Sequence, residues 1–239
     1  MKYLLSLLLG VVTGVSLFLA LLYFNPFAGR TEISPLAVSD QKLLNLRYDV
    51  VADKTLLYTN DGESLVAPYP PKVEEIWEPT VRDSWVMVVE LTDASGDAVG
   101  VGVKFSSESD ATRLLNAEVL VDSAWHIYLP GRGSLFVEQR ENYWSYIRDI
   151  VIPARWSSGD SWRGAWLGIM TTGPNQIGTG RVWGGHGEFA GGESESVEPL
   201  QATAYSAVTG PAAMTGSLTV SVPTRSADAD AEAAVSDQL

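Results

Sequence analysis

The sequence predicts an all-β body, a single antiparallel β-barrel with a β-sandwich as the alternative, carried on an N-terminal transmembrane helix. Three observations lead there. Tyr3 to Phe24 runs for 22 residues without a charge; as a helix it reaches about 33 Å, enough for a hydrocarbon core of about 30 Å. From Leu44 onward the apolar residues alternate instead of recurring at helical spacing: Leu44, Leu46, Tyr48 and Val50 against Asn45, Arg47 and Asp49. Turn residues then cut the chain into short apolar segments, at spacings typical of sandwiches and barrels.

The apolar run is longer than the h-region of a cleaved secretory signal, and it ends in Leu21-Leu22-Tyr23-Phe24-Asn25-Pro26-Phe27. Bulky residues stand where a signal peptidase needs small ones. Tyr23, Phe24 and Phe27 suit the aromatic belt of a membrane surface, and Asn25-Pro26 stops the helix. We therefore expect a signal anchor over residues 1–24, a linker over 25–40, a β-barrel domain over 41–223 and a disordered acidic tail over 224–239. The tail carries acids and alanines without an aromatic, so it buries too little to offset its ordering entropy. The expected location is a bacterial inner membrane, single-pass, with the body periplasmic; the alternative is a protein secreted after cleavage near Ala28-Gly29.

Within the body, Leu44–Val50 reads as a half-buried strand. Thr55–Thr59 is a second short run closed by Asn60-Asp61-Gly62. Pro68 to Pro71 must be loop, because proline cannot join a ladder. Ser84–Leu91 and Val99–Phe105 flank Asp93–Asp97 as a hairpin. Ser107 and Asp110 have capping-box spacing for one short helix over Ala111–Asn116. Strands are expected at 117–120, 125–129, 134–140, 143–152, 165–171, 180–183, 201–206 and 216–222, with little helix beyond the anchor.

Composition narrows the function. The chain holds 29 acids against 16 bases, a formal charge of −13, and no basic cluster. Nucleic-acid binding is excluded on that ground. There is no Cys and only two histidines, His126 and His186, and neither His stands in a ligand-spaced cluster, so no metal site is expected. Gly178 to Gly185 lacks the spacing of a dinucleotide loop, and neither a phosphate loop nor a nucleophile elbow occurs, so no cofactor is expected. Two weak catalytic candidates remain. His186 sits among glycines beside Glu188, where an imidazole next to a carboxylate can act as a general base. Glu138 belongs to the charged set Glu138, Arg140, Glu141, Arg148, Asp149 and Arg155. If 134–140 is a barrel strand, Ser134, Phe136, Glu138 and Arg140 share one face and Leu135, Val137 and Gln139 the other. Charges facing inward would line a polar cavity; facing outward, the commoner case, they are solvated.

Gly133-Ser134-Leu135-Phe136-Val137 with the long strand after it, the turn Gly184 to Gly192 (GGHGEFAGG), Glu198 and the closing strand Gly216–Val220 together resemble the allene oxide cyclase and dirigent-like β-barrels. His186 stands where that turn usually has Thr, and Glu193-Ser194 departs from the later part of the pattern. The resemblance implies an eight-stranded barrel around an apolar-lined cavity and carries over no catalytic residue. Five of the nine turn residues are Gly, far above the average of about 7%, so positive φ is expected at Gly187 or Gly191, with Phe189 turned into the core and His186 at the rim. Two functions stay open. One is a binding module for a partner protein or an apolar ligand near the membrane, in keeping with Trp144, Trp156, Trp162, Trp166 and Trp183. The other is a barrel enzyme of the cyclase or isomerase kind acting on a hydrophobic small molecule.

Overall fold

The computed structural model describes residues 2–24, 42–50 and 84–222 and the short strands Leu56–Leu57, Thr59–Asn60 and Glu63–Ser64. The expected linker, the Pro68–Pro71 loop and the acidic tail lie outside the described residues. Helix α1 (Lys2–Phe24) is long and apolar enough to cross a membrane, a property a signal sequence shares.

The alternation of apolar and polar residues becomes strands β1 (Lys42–Asp49), β5 (Ser84–Thr92), β6 (Ala98–Glu108), β7 (Leu120–Leu129), β8 (Gly133–Asn142), β11 (Gly180–Gly187), β12 (Glu193–Val197) and β14 (Gly210–Val222). These eight close into a ring in the order β1-β5-β6-β7-β8-β11-β12-β14, with β14 pairing back onto β1 from Lys42–Val222 to Asp49–Thr215. Every pairing is antiparallel, and because the pairings close into a ring the body is one barrel-like sheet and not two stacked ones. Closure leaves no free edge in the ring. Its thinnest seam is β1–β5, where the described register is the single pair Arg47–Thr92. Strands β2 (Leu56–Leu57), β3 (Thr59–Asn60) and β4 (Glu63–Ser64) are two-residue pieces; β2 pairs with β5 and β3 with β4. Strand β10 (Thr171–Gly173) pairs with β8, while β13 (Pro199–Ser206) and β9 (Ser161–Ile169) extend the sheet outward from β14.

Leu46, Leu91, Ile127, Leu129, Leu135, Met170 and Leu218 fill the interior together with Trp125, each essentially inaccessible. Burial of this kind yields roughly 25 cal/mol per Å² of apolar surface. These side chains occupy the described interior, where the resemblance implies an apolar-lined cavity. Trp125 needs room opposite, and β6 provides it: a Cβ at Gly102 would lie 2.8 Å from the Trp125 ring.

Two expectations are corrected. Residues 143–152 are not a strand but most of a helix, α2, built from Trp144–Tyr146, a wider π turn over Ile147–Val151 and Ile152–Trp156. Asn142 Oδ1 opens it by accepting from Trp144 N at 3.0 Å. Tyr146, Ile150 and Ala154 share one face and pack inward. The π turn ends two residues before Pro153, which has no N–H to donate and whose ring would collide with a carbonyl in a tight turn. The helix expected over Ala111–Asn116 shrinks to a single 3-10 turn, Leu114–Asn116, ended by Ala117 at φ +57°. Strand β6 itself runs to Glu108, so Ser107 is in the ladder and cannot cap.

Candidate functional site

A polar cluster lies inside the barrel. It is carried by Tyr48 on β1, Lys104 on β6, Trp125 on β7, Gln139 and Glu141 on β8, and Glu198 at the one-residue junction between β12 and β13. Glu141 and Glu198 are fully buried, and Lys104 and Gln139 nearly so. Lys104 Nζ is paired with both carboxylates, with Glu198 Oε1 at 2.7 Å and with Glu141 Oε1 in close contact. Gln139 Nε2 donates to Glu141 Oε1 at 2.6 Å and also to Glu198 Oε2. Trp125 Nε1 donates to Glu198 Oε2 at 3.1 Å, and the Tyr48 hydroxyl donates to Glu198 Oε1. Tyr143 OH donates to Glu141 Oε2 at 3.0 Å. Thr171 Oγ1 donates to Gln139 Oε1 at 3.3 Å and accepts from Glu198 N at 2.8 Å, fixing the junction that aims Glu198 inward.

One ammonium facing two carboxylates splits their acidities. Burial pushes the Glu141 carboxyl up to about 7; Lys104 opposes this, and the Glu198 charge adds to it. Glu198 is buried as deeply, but Lys104, Glu141 and Tyr48 outweigh burial and bring it down to about 2. Burial pulls Lys104 down, yet the two carboxylates leave its pKa raised. Burial, reinforced by the carboxylates, holds the Tyr48 and Tyr143 phenols well above their ordinary range, so both stay donors. The arrangement therefore contains a fixed cation, a fixed anion and one carboxyl that exchanges its proton near neutrality. Unequal acid–base pairs of this kind occur at catalytic centres, and also in purely structural networks. Two buried hydroxyls nearby, Ser123 and Ser196, have no hydrogen-bond partner among the described residues. Both share the inner row of Gln139, through the registers Ser123–Gln139 and Gly180–Ser196.

On β5, β6, β7, β8 and β11 the outer wall carries a band of apolar side chains among charged ones such as Glu90, Glu138 and Arg181. Register places Val88, Val103, His126, Phe136 and Trp183 in one row across β5, β6, β7, β8 and β11. The adjoining rows contain Val101 with Tyr128, and Val86 with Phe105 and Ala124. Exposure of the large side chains runs from 36% at Trp183 to 52% at Phe105. His126 stacks on Phe136 with ring centres 4.6 Å apart, and the Arg181 guanidinium lies 5.7 Å from the Trp183 ring. Shallow hollows of about 620 and 670 Å³ flank the wall, one against Val88, Val99, Val101 and Pro130, the other against Trp85, Phe105, Ala124 and Pro174.

Glu138 sits on this outer wall, exposed, in the row of Ala124 and Arg181, and does not point into the barrel. His186 is exposed at the rim, opposite Ser134. Glu188 is paired with Arg132. Phe189 is buried as expected, and Gly187 and Gly191 adopt φ of +69° and +81°. Of the five tryptophans that speak for a binding module, Trp156 and Trp183 are exposed. Trp144, Trp162 and Trp166 are half-buried; Trp162 and Trp166 pack on the core, because β9 covers α2 and brings Trp166 edge-on to Tyr146.

Among the described residues no group of three His, Cys, Asp or Glu side chains is arranged to hold a metal ion. No family model and no curated protein matches the chain. A solved structure of a nonspecific heme-binding cyclase that catalyses a 4 + 2 cycloaddition in neoabyssomicin biosynthesis is similar at 10% identity, over 82% of this chain and 77% of that one. Its TM-score of 0.36 is too low to carry an argument.

Proposed function

We propose that the chain is a membrane-tethered β-barrel that binds a partner protein through the outer wall of β5, β6, β7, β8 and β11. The observation that carries this is the continuous row Val88, Val103, His126, Phe136 and Trp183 with its exposed neighbours Val101, Phe105 and Tyr128. Contiguous apolar surface of that extent marks an interaction site. A small molecule prefers a deep concave pocket, whereas this wall is broad and only shallowly hollowed, which favours a protein. The partner's chemistry follows: apolar side chains at the centre to meet Phe136 and Trp183, and a basic rim to complement a chain of charge −13.

In this reading α1 is an uncleaved signal anchor in a bacterial inner membrane, followed by linker, periplasmic barrel and acidic tail. Kinship with the allene oxide cyclase and dirigent-like barrels belongs to the same proposal, supported by the eight-strand ring and the Gly184–Gly192 hairpin. The test is co-purification of the full chain from detergent-solubilised membranes. Trp183→Asp should lose a stoichiometric partner while melting like the parent, and Val208→Asp, on an exposed turn elsewhere, should keep it. Equal retention by both variants would refute the wall as the site.

A second reading, a barrel enzyme of the cyclase or isomerase kind on a hydrophobic substrate, is favoured by the Lys104–Glu141–Glu198 cluster. Glu141 would then move the proton, and not Glu138 or His186. Deuterium uptake by an enolisable apolar ketone separates the readings. Uptake that is lost in Glu141→Gln and kept in Glu138→Gln supports the enzyme; no uptake by the parent rules against it.

A further inference from the structure

Helix α2 presents a second face, opposite the one that packs on the barrel. Tyr146, Ile150 and Ala154 point inward, while Arg148, Ile152, Arg155 and Trp156 fall together on the other side by helical spacing. Trp156 is 79% exposed, a costly position for the largest apolar side chain if water is its only neighbour. A helix face combining arginines with a tryptophan suits the boundary between headgroups and acyl chains, where an amphipathic ring has both its solvents.

A separate observation names what lies beside it. The last turn of α1 reaches this face: the Tyr23 ring stacks on Trp156 with centres 6.3 Å apart and planes 26° from parallel, and Phe24 meets Tyr23 edge-on at 5.0 Å. The Tyr23 phenol is also among the groups that act electrostatically on Arg148, after the dominant Asp149 pairing at 2.6 and 2.8 Å. The C-terminal end of a span lies at the membrane surface, so whatever packs on Tyr23 lies there too. We infer that the Arg148–Ile152–Arg155–Trp156 face of α2 rests on the headgroup layer of the bilayer crossed by α1, seating the barrel on the membrane instead of leaving it loose at the end of a linker. This rests on the reading of α1 as a span. The charge balance fits a local contact: the chain as a whole is acidic, while α2 carries two arginines against one aspartate.

The chain has no Cys, so single cysteines can be labelled cleanly in the full chain. Nitroxides at Ser158, beside the face, at Ser95 in the exposed β5–β6 turn and at Gly14 inside α1 would be compared in nanodiscs containing anionic lipid. Collisional relaxation by oxygen and by a water-soluble nickel complex reports depth. The Gly14 label should be fully lipidic, and the Ser158 label several-fold better shielded from nickel than the Ser95 label. Trp156→Glu should abolish that shielding without changing Gly14. A lipidic Gly14 label with Ser158 as open to nickel as Ser95 would overturn the docking and leave the span standing. A water-exposed Gly14 label would overturn the span and the docking with it. Shielding at Ser158 that survives Trp156→Glu would also overturn the assignment to this face.

Discussion

Glu141→Gln neutralises the carboxyl of the interior cluster that burial pushes up to about 7. Glu141 moves from a reference of 4.5 to about 7 on folding, so ionising it costs the folded state about 3 kcal/mol more than the unfolded chain, at about 1.4 kcal/mol per pH unit. Because this pKa is raised, its contribution is complete below 4.5 and is lost as pH rises through about 7. Glu198 has the opposite sign: lowered to about 2, its contribution is present above 4.5 and lost as pH falls through about 2. Stability attributable to the cluster therefore peaks in mild acid and declines toward pH 8. A decline of about 3 kcal/mol is a large share of the roughly 5–15 kcal/mol that holds a domain together. Glutamine mimics the protonated carboxyl: its oxygen can accept from Lys104 and Gln139, and its amide can donate to Tyr143. Urea unfolding of the full chain in detergent, followed by tryptophan fluorescence between about pH 5 and about pH 8.5, should show a falling midpoint for the parent and a nearly flat one for Glu141→Gln. Parallel profiles for the two proteins would refute the assignment.

Removing the cation should be worse than neutralising the acid: Lys104→Met leaves two carboxylates facing each other in the interior and should cost about 3–5 kcal/mol in the same urea assay. The glycine turn separates strain from space. Gly187→Val meets both a positive φ and the Arg132 carbonyl oxygen, 2.2 Å from the new Cβ, whereas Gly191→Val meets the φ alone; thermal melts should show losses of about 2–4 and about 1–2 kcal/mol respectively. His186→Ala, at an exposed rim position, should stay within about 0.5 kcal/mol of the parent by calorimetry.

The barrel was readable where one face of a strand is apolar and the other polar, as in Leu44–Val50. It was readable too in the glycine turn, where composition alone forced positive φ near Phe189. The interior cluster was not readable, for two physical reasons. Its members come from positions 48, 104, 125, 139, 141 and 198, and strand pairing together with ring closure brings them to one place. Strand β6 also inverts the usual pattern: Val101, Val103 and Phe105 face out, while Gly102 and Lys104 face in, where Trp125 takes the space a larger residue would fill. The signal lay in that inversion, since a lysine in phase with glycines against an all-apolar opposite face marks a polar interior. Helix α2 was misread because Ile147, Ile150, Val151 and Ile152 are good strand formers; tertiary packing of Tyr146, Ile150 and Ala154 overrode propensity.

The central claim is that the barrel works through its outer wall. A photoreactive phenylalanine analogue placed in turn at Phe105, Tyr128, Phe136 and Trp183, with controls at Asp49 and Val208, tests it most directly in intact cells. The account predicts one cross-linked species of constant mass from the four wall positions and none from the two controls. Adducts that arise equally from all six positions, or from the controls alone, would contradict it.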